Sequence, residues 1–94
     1  MELELRFFAT YREAVGRKTI EREYEGSSIT VGEVLRGLEA EFDGLEGLLL
    51  DDEGEILDML TILRNGREVV HLEGTATVLE EGDTLSVFPP VAGG

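Results

Sequence analysis

The sequence predicts a single α+β domain, a mixed sheet of about five strands covered by one main helix. Three observations carry that expectation. Short segments of alternating apolar and polar residues recur near both ends of the chain, an Asn-Gly pair separates two apolar runs, and one amphipathic stretch with a start signal lies between. Ninety-four residues with 41 % apolar content can bury one modest core, so a second domain does not fit.

In Leu3, Leu5 and Phe7 the apolar residues alternate with Glu2, Glu4 and Arg6, the period of a strand with one buried face. After a polar stretch around Arg12 and Glu13 and a break at Gly16, Thr19–Glu25 alternates again, with Ile20 and Tyr24 opposite Glu21, Glu23 and Glu25. These two segments pair as a long-looped antiparallel hairpin. Residues 10–16 suffice for one helical turn, and the pattern leaves open whether they form it. Thr30 with Glu33 three residues on is a capping box, and Ile29 can staple onto Val34, so a helix starts there. Val31, Val34, Leu35, Leu38 and Phe42 form its core face, Glu33, Arg36, Glu39 and Glu41 its solvated face, and Gly44 stops it.

Leu45–Leu50 is a short apolar patch, expected as a turn of helix over one core edge, and Asp51–Glu55 follows as an acidic turn. Leu60–Arg64 and Arg67–Val70 flank Asn65-Gly66, the pair that a two-residue type I′ hairpin turn requires because both central residues take positive φ. Glu81-Gly82-Asp83 turns the chain into Thr84–Phe88, where Leu85 and Val87 alternate with Thr84 and Ser86. Pro89-Pro90 then ends any ladder by removing two donors. The resulting order, strand, strand, helix and three strands, is that of a β-grasp fold. Parallel pairing of the first and last strands at the sheet centre would bury Leu3, Leu5, Leu85 and Val87 together. Residues 1–88 are expected to form the domain and residues 89–94 a flexible C-terminal tail.

A formal charge of −13 and a pI near 4.2 repel nucleic-acid phosphates and anionic lipid headgroups, which disfavours both as direct partners. The absence of cysteine removes disulfides, thiolate metal sites and any cysteine nucleophile. No apolar run approaches the roughly 20 residues that cross a bilayer, and MELELRFF lacks the features of a signal peptide, so a cytoplasmic, monomeric protein is expected. Among the basic residues seven are Arg and one is Lys, Lys18. Such acidity with almost no lysine resembles the composition of proteins from salt-loving archaea, although the acid here is mostly Glu.

Candidates for catalysis are few. His71 is the single histidine and has no neighbouring nucleophile or second ligand in sequence, so it reads as a strand-end residue. The run Asp51-Asp52-Glu53-Gly54-Glu55 lacks the alternating ligands and distant bidentate Glu of a calcium loop. There is no phosphate-binding loop, dinucleotide fingerprint or zinc pattern. The chain is therefore expected to be no enzyme, and to bind no metal or cofactor of its own.

The C-terminal end, Phe88-Pro89-Pro90-Val91-Ala92-Gly93-Gly94, stands apart. Two prolines stiffen the exit from the last strand, and Ala92, Gly93 and Gly94 carry almost no side-chain bulk. Six extended residues reach roughly 20 Å. Such a needle can enter a narrow channel in another protein and present its terminal carboxylate there. A carboxylate is a poor electrophile, so using it requires conversion to an acyl-adenylate, thioester or thiocarboxylate, with machinery a partner must supply.

This tail, the hairpin Leu63-Arg64-Asn65-Gly66-Arg67-Glu68 and the run from Glu81 to Gly94 together resemble the ubiquitin-like MoaD family of molybdopterin synthase small subunits, and most of all its archaeal branch, the small archaeal modifier proteins. The resemblance spans essentially the whole chain and is weakest over 44–58. It implies that a ubiquitin-activating or MoeB-like enzyme spends ATP to adenylate Gly94. The glycine would then form an isopeptide bond to a target lysine or become a sulfur-donating thiocarboxylate. By the same resemblance Gly93 permits threading, while Phe88, Pro89, Pro90, Val91 and Ala92 dock the partner. A desampylase-type isopeptidase would reverse conjugation. Lys18 is a candidate acceptor, since it and the Met1 amine are the primary amines of the sequence. Two alternatives stand beside the modifier reading: a dedicated sulfur donor, to a molybdopterin synthase large subunit or to tRNA thiolation, and an acidic interaction domain without terminal chemistry.

Overall fold

In the computed structural model, which describes residues 1–90, the chain runs β1 (Glu2–Phe7), α1 (Thr10–Val15), β2 (Thr19–Glu23), β3 (Ser28–Thr30), α2 (Val31–Glu41), β4 (Thr61–Arg64), β5 (Arg67–Glu68), β6 (Val78–Glu80) and β7 (Thr84–Phe88). The main sheet has five strands in the order β2-β1-β7-β4-β5. β1 and β7 pair in parallel at its centre, Leu5 opposite Leu85 and Phe7 opposite Val87, and β2 and β4 flank them antiparallel. This is the predicted β-grasp arrangement. Along β1 the burial alternates as the sequence requires, with Leu3, Leu5 and Phe7 at 1 % exposure or less.

α2 begins as its capping box dictates, the Glu33 amide donating to Thr30 Oγ1 at 3.2 Å. Val31, Val34, Leu35 and Leu38 bury the expected face against the sheet. The helix ends at Glu41, with the Phe42 amide capping the Leu38 carbonyl, so Gly44 is not its stop. Gly44 lies instead in a 3-10 turn, Asp43–Leu45, where an added Cβ would sit 2.9 Å from Ala14 Cβ; close approach to α1 is what demands glycine there. Residues 10–15, left open by the sequence, form α1, which buries Tyr11 and closes on Gly16 in the left-handed region.

Four further expectations are corrected. The second strand is bounded at Glu23 and not at Glu25; Tyr24 still exchanges both backbone bonds with Met1 in the same register, its amide donating to the Met1 carbonyl and its carbonyl accepting from the N-terminal ammonium, and β1 offers no partner beyond Met1. β5 stops at Glu68, where the chain turns into a 3-10 turn, Val69–His71, in which the Val69 side chain is completely buried. His71 therefore lies in this turn, exposed and 3.0 Å from Glu68. A second, two-stranded sheet joins β3 to β6, with Ile29 opposite Leu79. Glu39, assigned to the solvated face of α2, accepts hydrogen bonds from the Leu49 and Leu50 amides at 2.9 Å each and fastens that apolar loop to the helix. Asn65 and Gly66 take φ of 50° and 87°, the positive pair that a type I′ turn needs. Among the described residues no helix is long and apolar enough to cross a membrane.

Candidate functional site at the root of the tail

The tail leaves from the centre of the sheet. Inward-pointing Leu85 and Val87 anchor β7, at 1 % and 0 % exposure, so alternation turns Thr84, Ser86 and Phe88 to the opposite face. Phe88 is the last strand residue, Pro89 is half-buried and Pro90 exposed. Val91, Ala92, Gly93 and Gly94, predicted as docking and reactive residues, lie outside the described residues.

Because β1 and β7 are parallel, both strands finish at the same end of the sheet, which sets Phe8 beside Phe88. Their rings stack with centroids 4.1 Å apart and planes 8° from parallel, and the Phe8 amide donates to the Val87 carbonyl at 3.3 Å. β2 starts at this same end, so Lys18 is delivered there too, its carbonyl accepting from the Phe7 amide and its Nζ lying 5.8 Å from the Phe8 ring centroid. Lys18 and Phe88, singled out from sequence for different reasons, thus meet through Phe8. Phe8 itself was missed. Its signal was the second aromatic of Phe7-Phe8, meaningful once the parallel register places it opposite Phe88.

The other end of β7 is held by Asp83, 9 % exposed. Its carboxylate accepts from Arg64 Nε at 2.9 Å, Asn65 Nδ2 at 2.9 Å and the Glu80 amide at 2.8 Å. Asn65 in turn accepts from the Thr84 amide at 2.8 Å. Burial works against ionisation of Asp83, but the hydrogen bonds from Glu80, Asn65 and Arg64, with the Arg64 charge, outweigh it and hold the carboxyl below the ordinary carboxylate range. The hairpin turn and the Glu81-Gly82 turn are thereby locked to the start of the last strand.

Neither end assembles a nucleophile with a base. What the root of the tail offers is a half-buried aromatic pair beside an exposed lysine. The ThiS family profile matches residues 5–94. The chain belongs to the ThiS family. Small archaeal modifier protein 3 of Haloferax volcanii is 62 % identical over the whole of both chains. The crystal structure of small archaeal modifier protein 1 from the same organism superposes with a TM-score of 0.82 at 33 % identity, covering all of both chains. Sulfur carrier protein CysO of Mycobacterium tuberculosis is 32 % identical over 84 % of this chain and 83 % of its own. The family is thus one of ubiquitin-like modifiers and sulfur carriers, small β-grasp proteins that are not themselves catalysts. The acidic, lysine-poor composition accords with the Haloferax relatives.

Proposed function

We propose that this chain is a protein modifier and sulfur carrier whose Gly94 carboxylate is activated by a ubiquitin-activating or MoeB-like enzyme. The observation that carries the reading is the strand-to-tail junction. β7 is fixed at the sheet centre and ends in Phe88-Pro89-Pro90, so the Ala-Gly-Gly terminus starts from a rigid platform within a family of modifiers and sulfur carriers. Chemically, the carboxylate attacks the α-phosphate of ATP and pyrophosphate leaves, giving an acyl-adenylate bound to the partner. A lysine amine then displaces AMP to form an isopeptide bond, or a sulfur donor supplied by the partner system displaces it to leave a thiocarboxylate. ATP belongs to the partner, and the chain holds no cofactor. The N-terminal ammonium is engaged by the Tyr24 carbonyl while Lys18 is exposed, which favours Lys18 as the acceptor in any chain of this protein.

Incubation with the host activating enzyme, ATP and a sulfur source, followed by intact mass, should show an oxygen-to-sulfur gain of about 16 Da and release of pyrophosphate. Deleting Gly94 should abolish both and leave the melting temperature unchanged. Pyrophosphate release at the wild-type rate from the deleted protein refutes the reading. Relatedness to CysO supports the second reading, a dedicated sulfur donor, to a molybdopterin synthase large subunit or another acceptor. Intact protein and adducts recovered from the host separate the two, because a dedicated donor forms no isopeptide adducts.

A further inference from the structure

The sequence contains a single side-chain carboxamide: Asn65 is its one Asn, and it has no Gln. The residue that follows is Gly66, so the backbone nitrogen next to that carboxamide has no side chain beside it to block an approach. Both residues are exposed at the tip of the β4–β5 hairpin, and among the described residues the Gly66 amide meets no hydrogen-bond acceptor. The carboxamide itself is held at both of its atoms. Its Nδ2 donates to Asp83 Oδ1 at 2.9 Å, and its Oδ1 accepts from the Thr84 amide at 2.8 Å. Asp83 is gripped in turn by Arg64 Nε and the Glu80 amide.

We propose that Asn65 is a site of spontaneous hydrolytic deamidation, gated by its bonds to Asp83 and Thr84, and that conversion loosens the hold on the start of β7. The co-reactant is water. The Gly66 nitrogen, its proton lost to solvent, attacks Asn65 Cγ; the bond from Cγ to Nδ2 breaks, ammonia leaves and a five-membered succinimide closes. Water then opens the ring at either carbonyl, which leaves an aspartyl or an isoaspartyl residue at position 65 and returns the N–H to Gly66. One water is taken up and one ammonia is lost. Ring closure requires ψ of residue 65 to leave the roughly 30° of a type I′ turn, so the carboxamide must first come off Asp83 and Thr84. The product reverses the interaction. A carboxylate at position 65 sets an oxygen where Nδ2 now donates, 2.9 Å from an Asp83 oxygen, and repulsion replaces a hydrogen bond. The isoaspartyl form also threads a methylene into the backbone of a two-residue turn, which disturbs the pairing of Arg64 with Arg67.

The test follows the intact mass of the full-length folded chain through incubation at mildly alkaline pH. With no other side-chain amide in the sequence, a gain of about 1 Da reports position 65 alone, and the peptide Ile56–Glu68 from a glutamate-specific protease resolves the two products. The folded chain should convert about tenfold or more slowly than the same chain unfolded in urea. Asp83→Ala should raise the folded rate about fivefold or more by freeing Nδ2. Asp83→Asn, which keeps the shape and replaces a charged acceptor with a neutral one, should raise it in the same direction and serves if Asp83→Ala does not fold. Glu39→Ala, which removes contacts of α2 and none of the hairpin, should leave the rate near that of the wild type. Asn65→Asp should lower the melting temperature. A folded rate equal to the unfolded one, no acceleration from either Asp83 variant, or an equal acceleration from Glu39→Ala overturns the gate. A wild-type melting temperature for Asn65→Asp overturns the loosening of β7.

Discussion

At one end of the central sheet Asp83 is almost fully buried and receives three hydrogen bonds, from Arg64, Asn65 and the Glu80 amide, whereas at the other end the half-buried rings of Phe8 and Phe88 stack on each other and the exposed Lys18 lies over Phe8. The same two parallel strands, β1 and β7, connect them. The buried end uses polar groups satisfied within the fold, so its role is to fix where the last strand begins. The other end holds two half-buried rings and an exposed charge that the fold does not need to satisfy. The polar network is concentrated where β7 starts, and the tail departs where it finishes.

Substitutions can test that division, beginning with one that should ignore it. Leu38, 2 % exposed on α2, packs beneath the sheet, and Leu38→Ala should cost about 2–5 kcal/mol of unfolding free energy by chemical denaturation, weakening the whole domain. Asp83→Ala should cost about 1–3 kcal/mol, because it strands the Arg64 and Asn65 donors, and should leave the KM for activation unaltered in the folded fraction. The pH dependence follows from the lowered carboxyl of Asp83. Its native value lies below the unfolded value of about 3.9, so its contribution is complete above that pH and drains away as pH falls through the native value. The stability gap between wild type and Asp83→Ala should therefore close below about pH 4, and a gap that persists into stronger acid would assign the stabilisation to something other than the ionised carboxylate.

Glu39→Ala should cost about 1–2 kcal/mol by leaving the Leu49 and Leu50 amides without their acceptor, and Glu39→Gln, which keeps one, should recover part of it. The smallest loss belongs to the tail root, where Phe8→Ala should cost about 0.5–1.5 kcal/mol from the lost ring stack. A loss there as large as that of Asp83→Ala would erase the contrast between the two ends. Salt should act where like charges face each other. The facing pairs Glu2–Glu23 and Glu4–Glu21 repel, and going from low salt to about 2 M NaCl or KCl should raise the melting temperature by screening them.

The sheet was legible in the sequence because each of its strands has its own local signature. Alternation marks β1, β2 and β7, and Asn65-Gly66 marks β4 and β5. The central parallel pairing followed from having to bury both end strands together. β3 and β6 were not legible, as three residues each are too few to show a period. Glu39 looked like an ordinary solvated glutamate because its partners lie in the 44–58 segment, where no pattern fixes the backbone. At the site, the tail and Phe88 were plain from composition and proline placement, and Lys18 from being the single lysine. Their meeting through Phe8 was not, since it depends on three strand ends converging, a relation that no window of sequence contains.

The pairing of Leu5 with Leu85 also bears on how the molecule is made. One middle strand is translated first and the other last, so the sheet cannot close while the ribosome is still adding residues 84–88. A prematurely ended chain lacks its central strand and not a dispensable fringe, and exposes the β1 edge that β7 would have covered. The terminal carboxylate comes into being only on release from the ribosome, after every residue of that strand has been added. Under the proposed activation of Gly94, an incomplete copy never bears the Gly-Gly end, and the activating enzyme would be spared unfinished substrates without any separate act of inspection.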